Sequence, residues 1–278
     1  MMNIDIAIEL NHENMDNNAT EIQAVEALAR DVAAGEVKPT PIKNEDVAWV
    51  QRWLNERAGC DLVVDGVWGT ASRAAFLSAF AYRHAPAITR AELLQIAHEL
   101  GDVDTRRIEA VAKVESNGSG WFESGLPKIL YERHKFWKHV RNVAARVVSW
   151  FANPQAGGYT MDINKNGIND SWEKLAFAMG KDPLAALKSV SIGKFQVLGE
   201  HYAQCGYDHP IEMLWAASRS ELAQYQMLRD YILHVADLKP EFLALSRHAD
   251  TNRAFARGYN GVKYEKYAYH TKLADALA

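Results

Sequence analysis

Residues 105–121 read TRRIEAVAKVESNGSGW. Ile108, Val111, Ala112 and Val114 recur at helical spacing, so the stretch predicts an amphipathic helix, with Asp104 in capping position. The helix closes on Glu115, because Ser116, Asn117 and Gly118 follow and Asn and Gly are natural helix stops. A carboxylate in the last turn meets the partial negative charge of the helix terminus. That field, and apolar neighbours such as Trp121, favour the protonated form. A carboxyl that keeps its proton near neutral pH is what a general acid needs. A lone glutamate at a helix end is most often a solvated surface group, so the segments around it decide.

Working outward, the pattern stays helical. Asn44 caps a predicted helix over 44–57, with Val47, Val50, Trp53 and Leu54 on one side and Gly59 as its stop. Asp65-Gly66 predicts a tight turn, and Thr70 a cap for a helix running to about 83. Thr89-x-x-Glu92 is a capping-box pattern for a helix over 91–100. Further helices are predicted at 20–34, 132–148, 171–179, 183–189, 220–236, 240–245 and 251–257. Alternating strand patterns are almost absent, so the fold class is mainly α.

The 278 residues carry a net charge of −4. Residues 1–40 hold two basic and eight acidic side chains, and the remainder is close to neutral. A general nucleic-acid binder would be basic, so nucleic acid is not an expected partner. No apolar run approaches the roughly 20 residues needed to span a bilayer, so membrane insertion is not expected. No signal peptide is visible, because Asp5 and Glu9 interrupt the apolar start. Cys60 and Cys205 lie far apart and read as reduced thiols. His134 and His139 lack the partners a zinc site requires.

Within 41–85, Val50-Gln51-x-x-Leu54, Gly59 and Val64-Asp65-Gly66-x-Trp68-Gly69-Thr70 resemble the peptidoglycan-binding domain family, a small helical module of cell-wall hydrolases. The resemblance implies that Asp65 and Gly66 shape a turn and that Trp68 covers the core or contacts sugar. It makes bacterial peptidoglycan the expected partner. Residues 1–85 form the N-terminal segment with this module, and 86–278 the second domain.

That second domain carries Glu115-Ser116, Tyr131-Glu132-Arg133-His134, Ser191-Ile192-Gly193-Lys194-Phe195-Gln196 and Tyr259-Asn260-Gly261 in order. Together these resemble the phage-type N-acetylmuramidase family, endolysins of the lysozyme-like superfamily. The same order occurs in goose-type lysozymes and lytic transglycosylases. The resemblance implies a larger α-helical lysozyme-like domain after the small module, with Glu115 as catalytic acid. Ser191, Gly193 and Gln196 would line the glycan cleft, and Tyr259 and Asn260 would position the sugar or Glu115. Glu132 is the first candidate for a second carboxylate, with a structural ion pair as its alternative role. Glu123 and Asp162 stand behind it. The implied reaction is hydrolysis of the β-1,4 bond between N-acetylmuramic acid and N-acetylglucosamine, with no cofactor required.

Residues 162–173, DINKNGINDSWE, fit D-x-[DN]-x-[DN]-G-x5-E, the EF-hand calcium loop. Asp162, Asn164, Asn166, Asp170 and Glu173 are thus candidate ligands of a structural calcium ion. Asn169 stands where an apolar residue is usual, and no amphipathic helix precedes the loop. The alternative is a surface turn capping the next helix.

The sequence therefore favours a monomeric endolysin made in a host cytoplasm and released to the wall by a partner holin. A lytic transglycosylase and a non-enzymatic wall-binding protein are the competing readings.

Overall fold

The computed structural model describes residues 44–116, 118–141, 146 and 148–278. The helix expected at 20–34 lies outside the described residues, as does Asn117, one of the expected helix stops. The described chain is mainly helical and divides into two compact units, each discontinuous in sequence. Residues 44–81 join 129–191 in one, and residues 82–128 join 192–278 in the other.

The first unit opens with α1 (Glu45–Ala58) and α2 (Thr70–Phe80). Asn44 caps α1 by accepting the Asp46 and Val47 N–H groups, and Gly59 ends it at φ 67°. Gly69 occupies the cap of α2, so Thr70 is its first residue and not the expected cap. The loop between them is knotted by the buried Gln51. Its amide donates to Asp65, to the Val67 carbonyl and to Ser72, and its oxygen accepts from the Asp65 and Gly66 N–H groups. Gly66, at φ 73°, lies so close to Asn44 that a Cβ would sit 2.9 Å from the Asn44 carbonyl oxygen.

The unit continues through β1 (Ile129–Tyr131), α5 (Arg133–His139), α6 (Asp170–Ala178), α7 (Pro183–Lys188) and β2 (Val190–Ile192), while α3 (Arg90–Glu99) and α4 (Arg106–Glu115) belong to the other unit. β1 pairs with β2. These strands escaped the sequence reading because each is three residues long and buried on both faces, which erases alternation. The helix expected over 132–148 stops at His139. Val140 turns extended, and the Arg141 N–H goes to the Asp182 carboxylate at 3.1 Å. An aromatic cluster forms the core: Phe76 and Phe80 each pack on Trp172 at ring distances of 6.0 and 5.8 Å, and Trp53 stacks on Phe80.

The second unit begins with α3 (Arg90–Glu99), closed at its start by the predicted capping box of Thr89 and Glu92. α4 (Arg106–Glu115) follows. After the turn at 193–196 come β3 (Val197–Leu198), α8 (Pro210–Arg219), α9 (Glu221–Asp230), α10 (Lys239–Leu243), α11 (Arg253–Asn260) and α12 (Tyr269–Ala276). α8 and α12 were not foreseen. α9 passes into a π-helical turn over Tyr231–Val235, a widening that often marks functional sites. Ile108, Val111, Phe195, Leu214, Leu228, Phe255 and Leu273 supply the core, all buried.

Candidate active site

Glu115 is the last residue of α4, and Ser116 closes the helix by donating its hydroxyl to the Ala112 carbonyl at 2.7 Å. The apolar residues Ile108 and Val111 seat that helix in the core and carry Glu115 inward with them. Its side chain is 5% exposed. Burial pushes its pKa up to about 7, against the opposing pull of the Asn260 hydrogen bond and of the Lys272 charge on α12.

Asn260 is the last residue of α11, and its Nδ2 donates to Glu115 Oε1 at 2.9 Å. Tyr259, beside it and fully buried, donates its hydroxyl to the Phe195 carbonyl at 3.2 Å. Its ring lies edge-to-face with Tyr231, the first residue of the π turn, at 5.4 Å. The Glu115 carboxylate faces both tyrosines and helps to hold both phenols protonated, behind the larger effect of burial.

The turn at 193–196 carries Gly193, at φ 71°, and Gln196, at φ 53°. A left-handed glutamine is costly, and its own amide offsets part of that cost by donating to the Gly193 carbonyl at 2.7 Å. Gln196 Oε1 and Asn260 Oδ1 are buried acceptors with no protein partner. Such acceptors are rare in native folds and suit a ligand that brings N–H or O–H donors.

Thus Glu115, Asn260, Tyr259, Gly193 and Gln196 fall in the same unit, tied through Asn260 and the Phe195 carbonyl. Glu132 and Ser191 fall in the other. Ser191 lies in β2. Glu132 stands just before α5, where its Oε2 accepts the Tyr159 hydroxyl at 2.6 Å and faces His134 Nδ1 at 3.3 Å. Glu123 is exposed, and Asp162 lies in the 162–173 loop.

In the small helical pair, Asp65 and Gly66 belong to the Gln51 knot. Trp68 donates its indole N–H to the Ala176 carbonyl at 2.7 Å, and its ring meets Phe76 and Gly180. What the pair leaves at the surface includes Trp49, Val63 and Val64.

The 162–173 loop closes on itself. Glu173 accepts from the side-chain amides of Asn164 and Asn166, and Asp162 accepts from the Asn166 and Gly167 N–H groups. Asp170 accepts the Ile163 N–H, and Asn169 caps α6. Among the described residues, no group of three or more His, Cys, Asp or Glu side chains is placed to hold a metal. Cys60 and Cys205 are free thiols. No helix of the described residues is long and apolar enough to cross a membrane.

Residues 104–278 match the family described as N-acetylmuramidase. Among solved structures, the chain is similar to the crystal structure of Burkholderia AP3 phage endolysin. The identity is 28% and the TM-score 0.59, over 86% of this chain and 97% of that one. No curated protein matches the chain.

Proposed function

From its place in the N-acetylmuramidase family, to which the chain belongs, we propose a modular endolysin that uses Glu115 as general acid. The chain is a peptidoglycan hydrolase of the muramidase type, and so a glycoside hydrolase. The bond to be cut is the β-1,4 linkage from N-acetylmuramic acid to N-acetylglucosamine. The single observation carrying the assignment of the acid is the burial of Glu115 at the end of α4, with its pKa near neutrality.

The chemistry follows from that proton. Glu115 gives it to the glycosidic oxygen as the C–O bond breaks and positive charge develops on the muramyl ring. Asn260 holds the Oε1 edge of the carboxyl and so fixes its direction. Water then adds to the muramyl carbon and returns a proton to Glu115. Glu132, steadied by Tyr159, is the proposed second carboxylate. Gly193, Gln196 and Ser191 would bind the glycan, with the unpaired Gln196 oxygen suited to an acetamido N–H. The module over 41–85 would contribute wall binding. The similarity to a phage endolysin supports a bacteriophage origin. Release to the wall by a partner holin belongs to the same proposal.

The test is product analysis on purified peptidoglycan. Wild type is expected to yield reducing muramyl ends. Products lighter by one water, with 1,6-anhydro ends, would identify a transglycosylase instead. Glu115→Gln is expected to lose at least about 10²-fold in kcat, with folding intact by circular dichroism. Because the protonated form is active, the wild-type rate should fall as pH rises past about 7. Full activity in Glu115→Gln would remove the acid from Glu115.

A further inference from the structure

Two glycine-bearing segments near Glu115 converge on one buried amide. Gln224, on α9, is 1% exposed. Its Oε1 accepts the Lys194 N–H at 2.7 Å, and its Nε2 donates to the Ala217 carbonyl at 2.8 Å. Both ends of the side chain are therefore spent on backbone groups of separate segments. We propose that Gln224 is a positioning residue, setting the distance between the loop that leaves Glu115 and the 193–196 turn. This rests on the reading of the site as that of a muramidase.

The two glycines explain the arrangement. A Cβ on Gly120 would lie 2.1 Å from Gln224 Oε1, and one on Gly193 would lie 2.8 Å from the same amide. Gly193 needs glycine for its positive φ as well. Gly120 has no such need, and the three atoms nearest to a Cβ there all belong to the Gln224 side chain. The glycines of the Gly118-Ser119-Gly120 and Ile192-Gly193 segments thus leave room for one shared bolt.

Backbone hydrogen bonds close the ring. The Lys128 N–H donates to the Gly120 carbonyl at 2.8 Å, and the Lys128 carbonyl accepts the Gly193 N–H at 2.7 Å. Loop, Lys128, turn and Gln224 therefore form one circuit. A second tie reinforces it: the Lys194 ammonium pairs with Glu221 at 2.9 Å, at the start of the same helix as Gln224. From the turn, the Phe195 carbonyl holds Tyr259, whose neighbour Asn260 holds Glu115. Moving the turn moves Gly193 and Gln196 relative to the acid. A misplacement of about 1 Å at a reacting centre can cost about 10²-fold in rate.

The experiment is a double-mutant cycle on a soluble glycan substrate, with Glu115→Gln run beside it. Gln224→Met keeps the volume but leaves the Lys194 N–H and Ala217 carbonyl unpaired. It is expected to lower kcat by about 10- to 100-fold while KM moves less than about threefold. The pH limb near 7 should stay in place. Gly120→Ala is expected to lower kcat by about 10-fold or more alone, yet by less than about twofold in a Gln224→Ala background. Rates are normalised to the folded fraction from urea unfolding, so a loss of folding is not counted as a loss of positioning. Wild-type kcat in folded Gln224→Met would overturn the proposal. So would an equal penalty for Gly120→Ala in both backgrounds. An active Glu115→Gln would instead overturn the acid assignment and leave the cycle readable.

Discussion

Replacing the acid should make the protein more stable at neutral pH while it destroys activity. A glutamic acid that titrates near 4.5 when solvated titrates at about 7 in this fold, mainly because of burial. Between these values the native state holds a proton that the unfolded chain has released. Stability therefore falls as pH rises through this window, and the penalty is absent below about 4.5. The gap of about 2.5 pH units, at about 1.4 kcal/mol each, makes the charged carboxylate cost about 3 kcal/mol at pH 8. Glutamine has nearly the same shape, bears no charge, and offers an oxygen to the Asn260 amide. Glu115→Gln should thus match wild type near pH 4 and exceed it by about 3 kcal/mol at pH 8. The assay is urea unfolding followed by circular dichroism at several pH values, with an unchanged m-value as the control for compactness. A difference that does not change with pH, or a destabilised variant at pH 8, would refute the burial of an ionisable carboxyl at this position.

Two further outcomes follow from packing and from the 162–173 loop. Phe76 is fully buried against Phe80 and Trp172, so Phe76→Ala should cost about 3–5 kcal/mol, measured by the urea midpoint. The carboxylates of Asp162, Asp170 and Glu173 already accept N–H hydrogen bonds, so EDTA should lower Tm by less than about 2 °C. A larger drop, reversed by added calcium, would establish the loop as a structural calcium site.

What the sequence revealed divides by range. Signals that act within one turn of chain were readable: Asn44 as a cap, the Thr89–Glu92 box, Gly59 as a stop, and the closing of α4 on Glu115. The order of Glu115, Gly193-x-x-Gln196 and Tyr259-Asn260 picked out residues that share one unit, and left open whether Asn260 would meet the sugar or Glu115; the fold gives it a hydrogen bond to the carboxyl. Gln224 carried no signal at all. Glutamine is an ordinary helix residue, and its meaning lies in two glycines that only the tertiary fold brings to it. The π turn at Tyr231 was equally hidden, because a one-residue change of helical register leaves apolar periodicity almost intact. The short strands were lost for the opposite reason, since uniform burial removed their alternation.

The small helical pair poses a separate problem of independence. Its residues look modular in sequence, but its aromatic face is completed by Trp172, and its Trp68 hydrogen-bonds the Ala176 carbonyl. Phe76, Phe80 and Trp172 are all fully buried in the same compact unit. Cutting the chain between the pair and the rest would strip the cover from Trp172 and leave the Ala176 carbonyl without its donor. Loss of lysis in such a fragment would then report unfolding of 129–191 as readily as loss of wall binding. Separating the two requires substitutions that leave this core intact. Val63, 77% exposed on the loop between the two helices, is such a position. A surface change there that weakens sedimentation with peptidoglycan, while the urea midpoint stays fixed, would assign binding to the pair itself.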